Sequence, residues 1–181
     1  MLKKEDGTYL AESMDIAEHL ATMAGPPLMP TDEVSRNKAK GLWECYDAVD
    51  KPYNSEALPS LNIIDPILNF FPVDDAGDKL TGVIPGFTQW MATLEEELGD
   101  GPFFGGEFPV YSEFAVLHLI DNFCSLEGGV ILHQYPKLEA WYNIITDLPE
   151  IDEYMQNRPQ SATGFGVPGS IMATCPNTFE F

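Results

Sequence analysis

The chain has 181 residues, 44% of them hydrophobic, with 29 acidic side chains against 9 basic ones and a formal net charge of −20. That length suits one domain, or one domain with part of a second, and the apolar content suits a packed core. Such a charge repels phosphate backbones and anionic lipid, which excludes nucleic acid as the expected partner and favours a basic protein partner over distance, beside the plain role of keeping an acidic surface soluble. Cys45, Cys124 and Cys175 are far apart and follow no zinc spacing, so a reducing compartment, cytoplasmic or organellar, is expected. No run reaches the ~18 apolar residues of a membrane helix.

In chain order, Asp6-Gly7 predicts a two-residue hairpin turn between MLKK and TYLA. Ser13 reads as an N-cap, with Asp15 in the first turn of a helix whose apolar face is Ile16, Leu20 and Met23, stopped by Gly25-Pro26-Pro27. A second helix is expected from about Asp32 to Val49, with Leu42, Cys45, Tyr46 and Val49 inward. Residues 50–77 are broken by prolines and read as loop with one or two short helices. Leu80 to Leu98 form a helical stripe that Pro85 kinks or starts. EFAVLHLIDNFC, residues 113–124, is apolar nearly all round and belongs at the centre of a bundle, with His118 expected as a satisfied core histidine. Pro136 opens a helix carrying Leu138, Trp141, Ile145 and Leu148. Pro149 opens another with Ile151, Tyr154 and Met155. The remaining QSATGFGVPGSIMATCPNTFEF has a single charge and changes character.

Together these segments resemble the glutathione transferase superfamily. DGTYLAESMDIAEHL looks like the end of its thioredoxin-like domain, LEEELGDGPFFGGEFPVYSEFAV like the loop and central helix of its all-helical domain, and YPKLEAWYNIITDLPEIDEYMQNRP like its closing helices; the mu and sigma classes look nearest. The resemblance implies a mostly α fold: residues 1–29 as a hairpin-and-helix remnant of a thioredoxin-like domain, 30–159 as the helical bundle, and 160–181 as an irregular tail. The Tyr, Ser or Cys that activates the thiol in the family belongs to the part of that domain that this sequence does not match. The family's Ser/Thr and Asp at the start of the central helix are replaced by Val110 and Glu113, so helix stability there is expected to rest on packing.

The resemblance makes Glu12 and Ser13 the candidate glutathione contacts, with the serine taking the γ-glutamyl carboxylate and Glu12 facing the amino group. A helix N-terminus favours an anion by dipole and free N–H donors, but a cap and a loop charge need no ligand. Tyr46 resembles a tyrosine lining the second-substrate pocket, and on its apolar face it also reads as core packing. Arg36 stands where some members carry an acid that reaches glutathione across the dimer. In the tail, Phe165, Ile171, Met172, Phe179 and Phe181 offer an apolar, nearly uncharged segment, either a frayed end or a partner contact. No metal or cofactor is expected beyond glutathione as a ligand or co-substrate. Two functions follow: a non-catalytic binding or scaffold subunit, alone as a homodimer or with a protein partner, or a fragment of an active glutathione transferase that conjugates glutathione to electrophiles.

Overall fold

The computed structural model describes residues 1–52, 86–127 and 130–157. Strands β1 (Leu2–Lys3) and β2 (Tyr9–Leu10) pair antiparallel, with Leu2 opposite Leu10 and Lys3 opposite Tyr9. The loop has three residues rather than the expected two. Gly7 N donates to Lys4 O at 3.0 Å and Lys4 N to Thr8 O at 2.8 Å, with Gly7 at φ 83°. A turn closed by a left-handed glycine bulge explains the extra residue. The Asp6 carboxylate accepts from both Thr8 N and Thr8 Oγ1, fixing the turn from inside.

Helix α1 (Ser13–Ala24) begins one residue earlier than Ser13's expected role allows. The extended cap residue is Glu12, Ile16 N donates to Glu12 O, Ser13 is the first helical residue, and no side chain closes the cap. The face also differs from expectation. Met14, Ala17 and Ala21 pack inward, whereas Leu20 and Met23 are 49% and 67% exposed. The sequence carries two stripes with helical spacing; the one with alanines wins because small side chains let the rings of Trp43 and Tyr111 come close. The helix ends where predicted, with Gly25 at φ 78° donating to Ala21 O.

Helix α2 (Glu33–Pro52) starts on Asp32, whose carboxylate accepts from Ser35 N at 2.8 Å. Leu42 and Val49 are buried as expected, and Cys45 and Tyr46 are half-buried. Helix α3 (Phe87–Glu97) begins just after Pro85, behind Gly86 at φ 76°, and buries Trp90, Met91, Leu94 and Leu98 in its last turns and just beyond. The upstream part of that expected stripe, Leu80 to Ile84, lies outside the described residues, as do the short helices expected within 53–77.

Helix α4 (Glu113–Glu127) is the central helix: Val116, Leu119, Ile120 and Phe123 are fully buried. His118 is a correction. Its side chain is exposed, although its neighbours Leu117 and Leu119 on α4 are buried. A 3-10 turn at Val130–Gln134 leads into α5 (Pro136–Thr146), with Leu138, Trp141 and Ile145 buried, and then α6 (Pro149–Asn157). On α6, Ile151 is half-buried, but Tyr154 is 57% exposed.

The start of α5 is closed from a distance. Glu95 on α3 accepts from Lys137 N at 2.9 Å and Leu138 N at 2.8 Å, and Lys137 Nζ returns a bond to Gly99 O. A carboxylate at a helix N-terminus satisfies orphan N–H groups and the dipole together. The main core gathers α2, α3, α4 and α5; a second, smaller one joins α1 to α2 and the start of α4 through Ala21, Ala39, Trp43, Val110 and Tyr111.

Candidate functional site

The start of α4 holds the most constrained polar group among the described residues. Glu113 is fully buried, yet its carboxylate is well served. Oε1 accepts from Gly105 N at 3.0 Å and Val110 N at 2.9 Å, and Oε2 accepts from Trp141 Nε1 at 2.9 Å. Burial pushes its pKa above the ordinary carboxylate value, against those hydrogen bonds, which lower it. The expectation that this helix start rests on packing is therefore corrected. Val110 cannot supply the hydroxyl half of a capping box, but Glu113 makes the reciprocal half by bonding back to Val110 N–H. The same carboxylate ties the 103–110 loop and α5 to α4. Gly105 has to be glycine here, since a Cβ would collide with the Phe108 carbonyl and with Val110 Cγ1.

The family resemblance makes Glu12, Ser13 and Tyr46, on α1 and α2, the candidate ligand contacts. Glu12 and Ser13 are both exposed at the open N-terminus of α1. Lys51, at the other end of α2, is bonded to Asp47 at 2.7 Å, and its ammonium pKa is raised by Asp47 first and by Asp50 and Glu12 further off. Tyr46 packs between the two cores, edge-on to Trp43 at 5.5 Å between ring centroids. Its phenol is pushed well above its ordinary value by burial, then by Asp50, which it also hydrogen-bonds.

Tyr111 is the counterpart that the sequence reading missed. It stacks on Trp43 at 6.2 Å and donates its hydroxyl to Glu18 Oε1 at 3.0 Å. Burial and Glu18 push this phenol well above its ordinary value too. Its signal lay in the VYSE segment, but the partner is on α1, 93 residues away. Two phenols thus flank Trp43, and each is committed to a carboxylate. Arg36 is turned back on its own loop, donating to Pro30 O and Thr31 O. The tail residues Phe165, Ile171, Met172, Phe179 and Phe181 lie outside the described residues. Among the described residues, no group of three or more His, Cys, Asp or Glu is arranged to hold a metal ion.

Residues 70–158 match the family described as glutathione S-transferase, C-terminal domain. Over those residues the chain carries a glutathione S-transferase C-terminal domain. Solved structures share the fold of the chain at low identity. Rat hPGDS complexed with a quinoline is 21% identical with a TM-score of 0.63, over 87% of this chain and 72% of that one. Maleylpyruvate isomerase from Pseudomonas aeruginosa PAO1 is 22% identical with a TM-score of 0.60, over 84% and 77%. A glutathione S-transferase from Rhodospirillum rubrum F11 is 13% identical with a TM-score of 0.63, over 90% and 75%. No curated protein matches the chain.

Proposed function

We propose that this chain is a glutathione S-transferase-fold binding or scaffold subunit that does not itself activate glutathione. The observation that carries this reading is the state of the two phenols beside α1. A tyrosine that stabilises a thiolate must offer its hydroxyl hydrogen to sulfur, and a lowered phenol pKa helps it to do so. Tyr46 and Tyr111 do the opposite: each is held by a carboxylate, with its pKa raised. Cys45 offers no substitute, since burial and then Glu97 raise its thiol pKa.

Glu12 and Ser13 retain the chemistry of a weak anion contact. The backbone N–H groups at the start of α1 face a glutathione carboxylate, and Glu12 faces its ammonium; Tyr46 lies at the wall of that face as a packing residue. No described helix is long and apolar enough to cross a membrane. Cys45 and Cys124 form no disulfide among the described residues, which supports a reducing compartment. The test is the size of the native complex together with titration calorimetry against glutathione. A large complex with weak glutathione binding is expected.

The second reading is an active transferase conjugating glutathione to electrophiles, with the activating group supplied outside the residues described here. It is favoured by the coverage: the matched structures extend beyond the 72–77% that this chain spans. Saturable conjugation activity of this chain would establish it over the first.

A further inference from the structure

We propose that α1 is a hinged strap, which swings away from the folded bundle at Gly25 and uncovers the aromatic face of α2 that it covers when closed. The proposal goes beyond the reading of the chain as a binding subunit and does not depend on it. The contact that holds the strap is thin. Ala21 is the one buried residue among the twelve of α1, whereas α5, with eleven, buries Leu138, Trp141 and Ile145. Met14 and Ala17 pack beside Ala21 at the edge of the small core, and Tyr111 Oη donates to Glu18 Oε1 at 3.0 Å across the contact. The larger side chains Leu20 and Met23 stand outside it, exposed. Hydrophobic stabilisation scales with the apolar area removed from water, so a helix that buries alanine and leaves leucine and methionine out is weakly held for its length. Residues 1–12 add nothing to either core.

What the strap covers is held independently of it. Ala39, Trp43, Val110 and Tyr111 are all buried, with Trp43 stacked on Tyr111 and edge-on to Tyr46. Helices α2 and α4 also belong to the main core, through Leu42, Val49, Val116 and Ile120. This face therefore stays in place when α1 leaves.

The backbone divides at the same place. Gly25 has φ 78°, a conformation that favours glycine, and a Cβ there would meet nothing within 4 Å. Downstream the chain is fastened to the bundle. Tyr111 N donates to Leu28 O at 3.1 Å, and Arg36 donates to Pro30 O at 2.7 Å and to Thr31 O at 2.9 Å. The joint itself is crossed by the bond from Met29 N to Gly25 O at 3.2 Å. A weakly held helix joined to a fastened loop through an unobstructed glycine is a hinge at an element end. On opening, the Tyr111 hydroxyl loses its carboxylate and the face of Trp43 meets solvent.

Hydrogen exchange of the full chain, followed by NMR, is the test. The amides of residues 17–24 and the Trp43 indole N–H should exchange through one shared opening, about a hundredfold or more faster than the amides of Val116, Leu119 and Ile120. E18A should raise that opening about fivefold, and A21L, which overfills the contact, about tenfold, with α4 unchanged in both. L20A removes more apolar surface, but from the outward stripe, and should leave the opening as it is. In A39C the new thiol lies beneath α1, and its labelling by a thiol reagent should quicken with E18A, whereas Cys124 in the bundle core stays protected. Amides of α1 as slow as those of α4 overturn the proposal. Fast α1 amides with the Trp43 indole and the A39C thiol as slow as the core mean fraying, and overturn it too, as does an L20A that opens the strap as far as A21L. None of these readouts involves glutathione, so the strap and the non-catalytic reading fail separately.

Discussion

Trp141 Nε1 donates to Glu113 Oε2 at 2.9 Å, and both side chains are almost completely buried. This bond joins α5 to the first turn of α4, while the other oxygen of the same carboxylate holds the loop between α3 and α4. A charge taken out of water is tolerated because each oxygen is aimed at donors. Its removal leaves three N–H groups unpaired, two of them buried and one partly buried. Glu113→Ala should therefore destabilise the fold by about 3–5 kcal/mol. Trp141→Phe, which keeps a ring of similar shape, should cost about 1–3 kcal/mol. A double-mutant cycle by urea denaturation should show coupling between the two; additive effects would mean that the bond contributes little.

The pH dependence has a definite sign. The folded-state pKa of Glu113 is raised, so the folded state binds the proton more tightly than the unfolded chain. Its favourable contribution is full below the unfolded carboxylate value of about 4.3, and is lost as pH rises through the raised folded value. Glu113→Gln has no such titration. The stability difference between wild type and this variant should shrink as pH rises across that window, and chemical denaturation at several pH values measures it. A difference that widens with pH would contradict the burial argument.

The remote cap on α5 makes a cleaner single-residue test. Glu95→Ala removes the acceptor for Lys137 N and Leu138 N without opening a cavity. The expected loss is about 1 kcal/mol, the usual value of an N-cap. Amide exchange should quicken in the first turn of α5 and leave α4 unchanged.

The attachment of α1 rests on a small core of Ala21, Ala39, Trp43, Val110 and Tyr111, with Met14, Ala17, Leu28 and Met29 packed against it. Tyr111→Phe should cost about 1 kcal/mol by leaving Glu18 without its phenol. Trp43→Ala should cost about 3–5 kcal/mol. Faster amide exchange confined to residues 13–24 would show that α1 opens before the bundle; uniform exchange over the chain would show that the two cores unfold as one.

Much of this architecture was legible because its signals are local. Pro136 and Pro149 start helices, Gly25 ends one, and the all-round apolarity of residues 113–124 marks the central helix. The misreadings share a cause. On α1 two apolar stripes compete, and only the rings of Trp43 and Tyr111, distant in sequence, decide for the alanine stripe. His118 sits on an apolar helix, yet its side chain is exposed. Glu113 reads as half of a degraded capping box, because Gly105 N–H and Trp141 Nε1–H come from a loop and a helix that folding brings to it. The candidate site was legible at Glu12, Ser13 and Tyr46 only through family resemblance. Tyr111 and Glu18 were not legible, since a bond across 93 residues leaves no spacing to read.

The most direct measurement of the central claim is the initial rate of glutathione conjugation to a simple aromatic electrophile, with the full 181-residue chain at high concentration. The account predicts the rate of buffer alone, unchanged in Tyr46→Phe and Tyr111→Phe, because both phenols are engaged by carboxylates. A saturable rate that either phenylalanine variant abolishes would contradict it, and would make that tyrosine the thiol-activating donor.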